Sequence, residues 1–230
     1  MKNPTGREIQ YIGGLYAGWF SVRLITAVLL VSCFSFSAAG AQVSGEAALW
    51  NALRSGDHFI LLRHALAPGM GDPPQFTLGE CATQRNLSDE GRRQAEEIGN
   101  RFRVNGIDSA RVFSSQWCRC LETAKLLSLA PVQELPVLNS FFLRYEDGAV
   151  QTAILKEWLA GQDLKQPLVL VTHQVNITAL TNFYPGSGEL VVVRRSDAGD
   201  LSVAGSIAPD QSVHQKGGKS ASGYQLEKDS

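Results

Sequence analysis

Three segments of the chain repeat one pattern, a β-rich apolar run that ends in a polar or basic residue and passes into a helical pattern or a Gly/Pro loop. They are "HFILLRH" (58–64), "ARVFSSQWCRC" (110–120) and "PLVLVTHQ" (167–174). Runs as uniformly apolar as Leu168-Val169-Leu170-Val171 suit a parallel sheet covered on both faces, because a half-exposed strand would alternate with period two. Helical patterns lie between them. Ser88 is placed to cap "DEGRRQAEEIGNRF"; Asp89 and Glu90 suit the positive end of a helix dipole, and Ala95, Ile98 and Phe102 recur on one face. Further helices are predicted over 117–128, over 149–161, where Val150, Ala153, Ile154 and Trp158 follow helical spacing, and over "VNITALTNF" just after His173. Near the end, "GELVVVRR" and "LSVAGSI" flank the turn "SDAGD" and read as a hairpin or two edge strands. The alternation predicts an α/β protein, a three-layer α/β/α sandwich with a mostly parallel central sheet.

The two ends fall outside this pattern. Residues 24–39, "LITAVLLVSCFSFSAA", carry no charge, follow Arg23 and run into the small residues Ala38-Ala39-Gly40-Ala41. That reads as a secretory apolar region with its cleavage site, so residues 1–41 are expected to be a cleaved signal peptide and the protein to be periplasmic or secreted. The run is short against the ~20 residues of a spanning helix, which predicts no stable membrane span after cleavage. A second route stays open, because "LVSC" (30–33) would suit a lipoprotein anchored at Cys33. From about Pro209 the chain is polar without period, so 209–230 is expected to be a disordered tail and 42–208 the folded domain.

Composition narrows the function. With 230 residues, a formal charge of −1, 44% apolar and 19% charged residues, the chain has an ordinary globular profile. Its basic residues are dispersed among acids, which speaks against a nucleic-acid partner. Cys81, Cys118 and Cys120 follow the leader. In an oxidising compartment Cys81 could pair with Cys118 or with Cys120, leaving one thiol and clamping the loop 68–86 beside Arg119. A metal site is the weaker reading, since one residue separates Cys118 from Cys120 and no histidine stands at zinc-finger spacing; neither metal nor cofactor is expected.

In an open parallel sheet, ligands bind beyond the carboxyl ends of the strands. Arg63 and His64 lie at one such end, Arg119 just beyond another and His173 at a third. Guanidiniums offer forked donors that match tetrahedral oxyanions, and imidazoles among such cations are pushed toward the neutral, nucleophilic form. One histidine could therefore take a phosphoryl group while the arginines balance charge on its oxygens.

These residues carry a resemblance. "LLRHA" resembles the strand-terminal Arg-His-Gly motif of the histidine phosphatase superfamily, with Ala65 where Gly is usual. "NLSDEGRRQAEEIG", "VFSSQWCRCLETAKLL" and "VLVTHQVNITAL" resemble its following helix, the segment of its second arginine and that of its second histidine. The resemblance spans about 57–195 and implies the phosphoglycerate mutase-like fold in a small single-domain branch. It implies His64 as the nucleophile that becomes phosphohistidine, Arg63 and Arg119 as phosphate ligands, His173 as the completing histidine, and no metal. Relatives often continue the first motif with phosphate-touching Thr and Asn, where this chain has Leu66-Ala67-Pro68-Gly69. The usual proton-donating acid has no clear match. Glu146 is the nearest candidate donor, with Asp147 beside it and a solvated loop acid as the competing reading. Gln174 and Arg85 are candidate further phosphate ligands, against roles as a helix-start residue and a surface arginine. Ser114 and Ser115 offer donors or merely a turn, and His58 and His214 fall outside the site.

The reading is thus a phosphomonoester hydrolase of the cell envelope acting on a small phosphorylated molecule or a phosphorylated envelope glycan, the latter by similarity to lipopolysaccharide heptose phosphatases. A non-catalytic phosphate- or phosphoglycan-binding module and a phosphoglycerate mutase-like phosphotransferase are the alternatives. Nothing in the sequence decides the oligomeric state.

Overall fold

The apolar runs become strands of a six-stranded sheet in the computed structural model, which describes residues 45–210. The expected leader, Cys33 and all but the first two residues of the expected tail lie outside the described residues. In chain order the elements are α1 (Glu46–Ala52), β1 (His58–Arg63), α2 (Asp89–Val104), β2 (Arg111–Ser114), α3 (Cys118–Leu126), β3 (Val132–Glu134), α4 (Gly148–Ala160), β4 (Leu168–Thr172), α5 (Gln174–Thr181), β5 (Leu190–Arg195) and β6 (Leu201–Ile207). The strand order is β3-β2-β4-β1-β5-β6, with the first four mutually parallel, β5 antiparallel to β1 and β6 antiparallel to β5.

Helices cover both faces, which is why β1 and β4 have no polar face. Val169 and Val171 of β4, with Ile60, Leu62 and Val112, pack under α1, α2 and α3 through Trp50, Phe102 and Ala124. Leu168 and Leu170, with Phe59 and Leu61, pack under α4 and α5 through Leu155, Leu159 and Ile177. This is the three-layer α/β/α sandwich expected from the sequence. Two details differ. The sequence reading did not anticipate α1 or the three-residue edge strand β3. In α4, Val150 and Ile154 are exposed and Leu155 and Leu159 carry the burial. The helix is apolar on more than one side, so the sheet decides which side it keeps.

Helix α2 ties the sheet to the loop that leaves β1. Ser88 Oγ accepts from Gly91 N at 3.0 Å, as its capping position predicts, and Ala95, Ile98 and Phe102 are buried. Gln94 Oε1 accepts from Leu66 N at 2.9 Å, and Ser88 N donates to Leu66 O at 3.1 Å, so both backbone groups of the second residue past His64 are held. The approach is so close that a Cβ on Gly91 would lie 2.0 Å from Leu66 O. Gly91→Ala should therefore lower stability by about 1–3 kcal/mol or more, as overpacking does. The check is a lower urea midpoint at unchanged slope; an unchanged midpoint would show that the helix can back away freely.

Candidate active site

Register alone brings the two histidines together. β1 and β4 run parallel with Arg63 opposite Thr172, so the next residues along them are His64 and His173. Their ring centroids are 5.6 Å apart at 67°, and both side chains are buried. On the far side of β4, Ser114 stands opposite Val171, which brings the following Ser115 beside His173. Arg119 then enters from the first turn of α3.

Hydrogen bonds fix the tautomers. His64 Nδ1 lies 2.8 Å from Ala65 O, and a carbonyl can only accept, so Nδ1 carries the proton and Nε2 keeps its lone pair. Arg119 Nη2 lies 3.4 Å from His173 Nδ1, and a guanidinium can only donate. His173 therefore accepts on Nδ1 and donates Nε2–H to Ser115 Oγ at 2.9 Å, while Ser115 Oγ–H donates to Asn139 Oδ1 at 3.2 Å. Burial, followed by the charge of Arg119, pushes the His64 imidazole down to about 3. Burial and then His64 and Arg119 hold His173 well below the ordinary histidine range.

Arg119 is 3% exposed and is fully engaged at its tips. Nη1 donates to Asp72 Oδ1 at 2.7 Å and to Arg85 O at 3.3 Å; Nη2 donates to Asp72 Oδ2 at 3.1 Å and to His173 Nδ1. All four terminal N–H groups are thereby used, and only the buried Nε–H is unpartnered. Asp72 also accepts from Arg85 N and from Trp117 Nε1, each at 3.1 Å. Burial acts to raise the Asp72 carboxyl, but the bonds and charge of Arg119, with those of Arg85 N and Trp117, outweigh it and hold the group below the usual carboxylate range. Arg63 is half-buried and donates from Nη1 to Pro185 O at 2.9 Å. Arg85 donates to Gly71 O at 2.7 Å and to Ala67 O. Three guanidiniums against one carboxylate leave two positive charges beside two neutral imidazoles, the complement of a dianion.

The loop that carries Asp72 is fastened beside Arg119. Cys81 bonds to Cys118, one of the two pairings anticipated, and Cys118 N donates to Gln84 Oε1 at 2.9 Å. Gly71, at φ +66°, lets the chain turn back just before Asp72. Cys120 is the free thiol; burial pushes it up to about 12, and its Sγ lies 3.5 Å from His173 Nε2. Among the described residues, no group of three or more His, Cys, Asp or Glu could hold a metal ion.

A cleft of about 810 Å³ opens over these groups, and Arg63, His64, Arg85, Arg119, His173 and Gln174 all line it. Glu146 does not: it is exposed in a short 3₁₀ turn, Tyr145–Asp147, whose Asp147 pairs with Arg144 at 3.1 Å. The carboxylate on the cleft wall is instead Asp72. Neither Asp72 nor Trp117 was foreseen. The local cue is an acid in "GDPP", but its partner Arg119 lies 47 residues away. Ser114 turns its hydroxyl to Ser115 O at 2.8 Å and serves the turn, whereas Ser115 orients His173. His58 opens β1 at the opposite end, 2.6 Å from Asp57.

Residues 59–158 match the family model of the histidine phosphatase superfamily, branch 1. Over these residues the chain is similar to the histidine phosphatase superfamily. The match covers His64, Arg85 and Arg119 and ends before β4. A search of curated proteins by sequence finds no match. Among solved structures, the fold is similar to that of the product of open reading frame Rv3214 from Mycobacterium tuberculosis: 17% identity, TM-score 0.51, 66% of this chain and 98% of that one. It is also similar to a protein described as mycobacterial hydrolase 2, with 16% identity and TM-score 0.50 over 68% of this chain and 92% of that one. The protein histidine phosphatase SixA, solved with tungstate, aligns at 16% identity and TM-score 0.49 over 66% of this chain and 97% of its own. At such identities the likeness is one of fold.

An anion that grips the fork of Arg119 must displace Asp72. Asp72→Asn removes the competing charge, so inorganic phosphate should bind at least about tenfold tighter by titration calorimetry, a gain of about 1.4 kcal/mol. Weaker binding in Asp72→Asn would mean that the carboxylate supports the anion site instead of occupying it.

Proposed function

We propose that this protein hydrolyses phosphomonoesters through a phosphohistidine on His64. The observation that carries the reading is the free Nε2 lone pair of a neutral, buried imidazole at a cleft floor lined by Arg63, Arg85 and Arg119. A phosphomonoester's second pKa is about 6, so below it the substrate arrives as a monoanion. Its phosphoryl oxygens take over the Arg119 fork and its proton passes to the displaced Asp72 carboxylate, which leaves a bound dianion beside a carboxylic acid, the reactive pair.

Nε2 of His64 then forms a bond to phosphorus as the ester P–O bond breaks. The electron pair leaves on the alcohol oxygen, and Asp72 protonates that oxygen. In the second half, a water oxygen attacks the phosphohistidine, its proton goes to Asp72, and the N–P bond returns its pair to Nε2 as phosphate departs. Arg63, Arg85 and Arg119 balance the equatorial oxygens. His173 is a positioning residue in this scheme, accepting from Arg119 Nη2 and anchored by Ser115. The leader pattern at 24–41 and the Cys81–Cys118 disulfide support action outside the cytoplasm, in the periplasm or beyond.

The deciding experiment incubates the protein with an aryl phosphate beside His64→Ala. Wild type should turn over and form a base-stable, acid-labile phosphoprotein, while His64→Ala should do neither; equal slow release by both would end the proposal. Arg63→Ala should lower kcat on the order of 10²–10³-fold, as loss of an oxyanion donor does.

The pH profile has a calculable shape. The nucleophilic form of His64 exists above its pKa of about 3, so acidification from pH 6 to 4 should leave kcat/KM level. An ordinary imidazole near 6.5 would lose about tenfold per unit below that value. Above pH ~6 the monoanion is depleted and kcat/KM should fall. A rate that drops tenfold per unit below pH 6 would show that burial does not keep His64 neutral.

A further inference from the structure

The walls of the cleft differ from its floor in chemistry. We infer that the substrate is an amphiphilic phosphomonoester, a phosphate on an apolar alkyl or aryl alcohol, and not a phosphorylated sugar; this rests on the hydrolase reading above. The volume, about 810 Å³, is near the upper end for small-molecule sites and leaves most of the cleft to whatever the phosphate is attached to.

Three segments build that remainder, and each contributes apolar atoms. The loop after β1 supplies Met70 and Phe76, the latter stacked on Trp117 with centroids 4.9 Å apart at 17°. The segment before α4 supplies Phe142, Leu143 and Tyr145, and α5 with its following turn supplies Val175, Ala179 and Tyr184. Among the described residues, most of the exposed large apolar side chains line this one cleft. They are Met70 at 93%, Leu143 at 75%, Tyr184 at 69%, Tyr145 at 64% and Phe142 at 42%; Leu78, Val104, Val150 and Ile154 lie elsewhere. Apolar exposure gathered around a charged floor is the signature of a surface that a ligand covers.

Charge fixes which end of the ligand goes where. Arg63, Arg85 and Arg119 line the same cleft, and Arg144 on its wall is paired with Asp147. A sugar needs acceptors for its several hydroxyls, yet the one carboxylate on the wall, Asp72, already accepts two bonds on each oxygen. Ser140, Gln174 and Thr178 remain as small polar groups on the wall. Aromatic faces would stack on a sugar ring, but Met70, Leu143, Val175 and Ala179 offer it neither stacking nor hydrogen bonds. An apolar group uses every one of these surfaces.

The test compares n-octyl phosphate, ethyl phosphate and glucose 6-phosphate, kept below the micellar concentration of the first. All three release primary alcohols, so leaving-group reactivity does not decide between octyl and ethyl. The octyl ester should have a kcat/KM on the order of 10²-fold higher than either, since each buried methylene contributes a factor of several. Leu143→Asp should shrink the octyl-to-ethyl ratio at least tenfold. Equal rates for octyl and ethyl would overturn the inference while leaving the hydrolase intact, and preference for glucose 6-phosphate would overturn it in favour of a glycan. If none of the three is hydrolysed and the aryl phosphate is not turned over either, the hydrolase reading fails, and calorimetry with octylphosphonate against methylphosphonate still decides the ligand class. Octylphosphonate binding on the order of 10²-fold tighter sustains it; equal affinity removes it.

Discussion

A guanidinium sealed from water must be compensated, and the placement of Arg119 obliges much of the site to form as it does. Taking a charge out of water costs far more than any single contact returns unless the charge is paired and its donors are satisfied. Arg119 sits in the first turn of α3, under a neighbourhood that already holds Arg63 and Arg85. The long loop after His64 answers this constraint. It turns back at Gly71, delivers Asp72 to both terminal nitrogens, and is held by Trp117 Nε1, by the Gln84 bond to Cys118 N and by the Cys81–Cys118 bridge. The disulfide thus stands one residue from the cation whose partner it helps to locate.

The same cationic field keeps both imidazoles neutral. Burial and the arginines both disfavour imidazolium, so His64 and His173 stay neutral, and neutral imidazole has a choice of tautomer. The neighbours make that choice in opposite senses. The Ala65 carbonyl takes the Nδ1 proton of His64, whereas Arg119 donates to Nδ1 of His173 and Ser115 receives its Nε2–H. One histidine is left with an uncommitted lone pair, the other with none. One electrostatic arrangement therefore both gathers positive charge at the cleft floor and leaves a neutral imidazole with a free lone pair there.

How far this was legible in the sequence follows from the range of the interactions. β1 and β4 were legible because their burial on both faces removes polar residues from the apolar run, and α2 because its cap Ser88, its first-turn acids and the recurrence of Ala95, Ile98 and Phe102 are all local. The meeting of His64 and His173 followed from strand ends in a parallel sheet, a rule about topology and not about distance. What escaped depends on contacts that no local pattern encodes. Asp72 reaches Arg119 across 47 residues of chain. The choice of Cys118 over Cys120 for Cys81 turns on which side of α3 faces the loop. In α4, Val150 with Ile154 and Leu155 with Leu159 share the same spacing, so periodicity cannot say which pair the sheet will bury. Glu146 drew notice because an acid was needed, whereas the carboxylate on the cleft wall, Asp72, comes from a loop whose path the sequence does not describe.

The motif "NLSDEGRRQ" shows that a recognisable stretch need not hold the chemistry it accompanies. Ser88 caps α2 and binds Leu66 O through its N–H; Gly91 leaves room for that carbonyl; Gln94 takes Leu66 N. All three act on one residue, Leu66, two positions beyond His64. Ala65 N is fastened separately, to Thr123 Oγ1 at 3.0 Å, and Thr123 donates in turn to Arg119 O at 2.7 Å. The backbone that leaves β1 is thus gripped from α2 and from α3 at once. Ala65 O, the acceptor that sets the His64 tautomer, belongs to the peptide whose N–H, that of Leu66, Gln94 holds. Fixing that carbonyl fixes which nitrogen of His64 is free, so the motif exerts its influence through backbone position, and the glycine within it is there because a helix must come within touching distance of the loop.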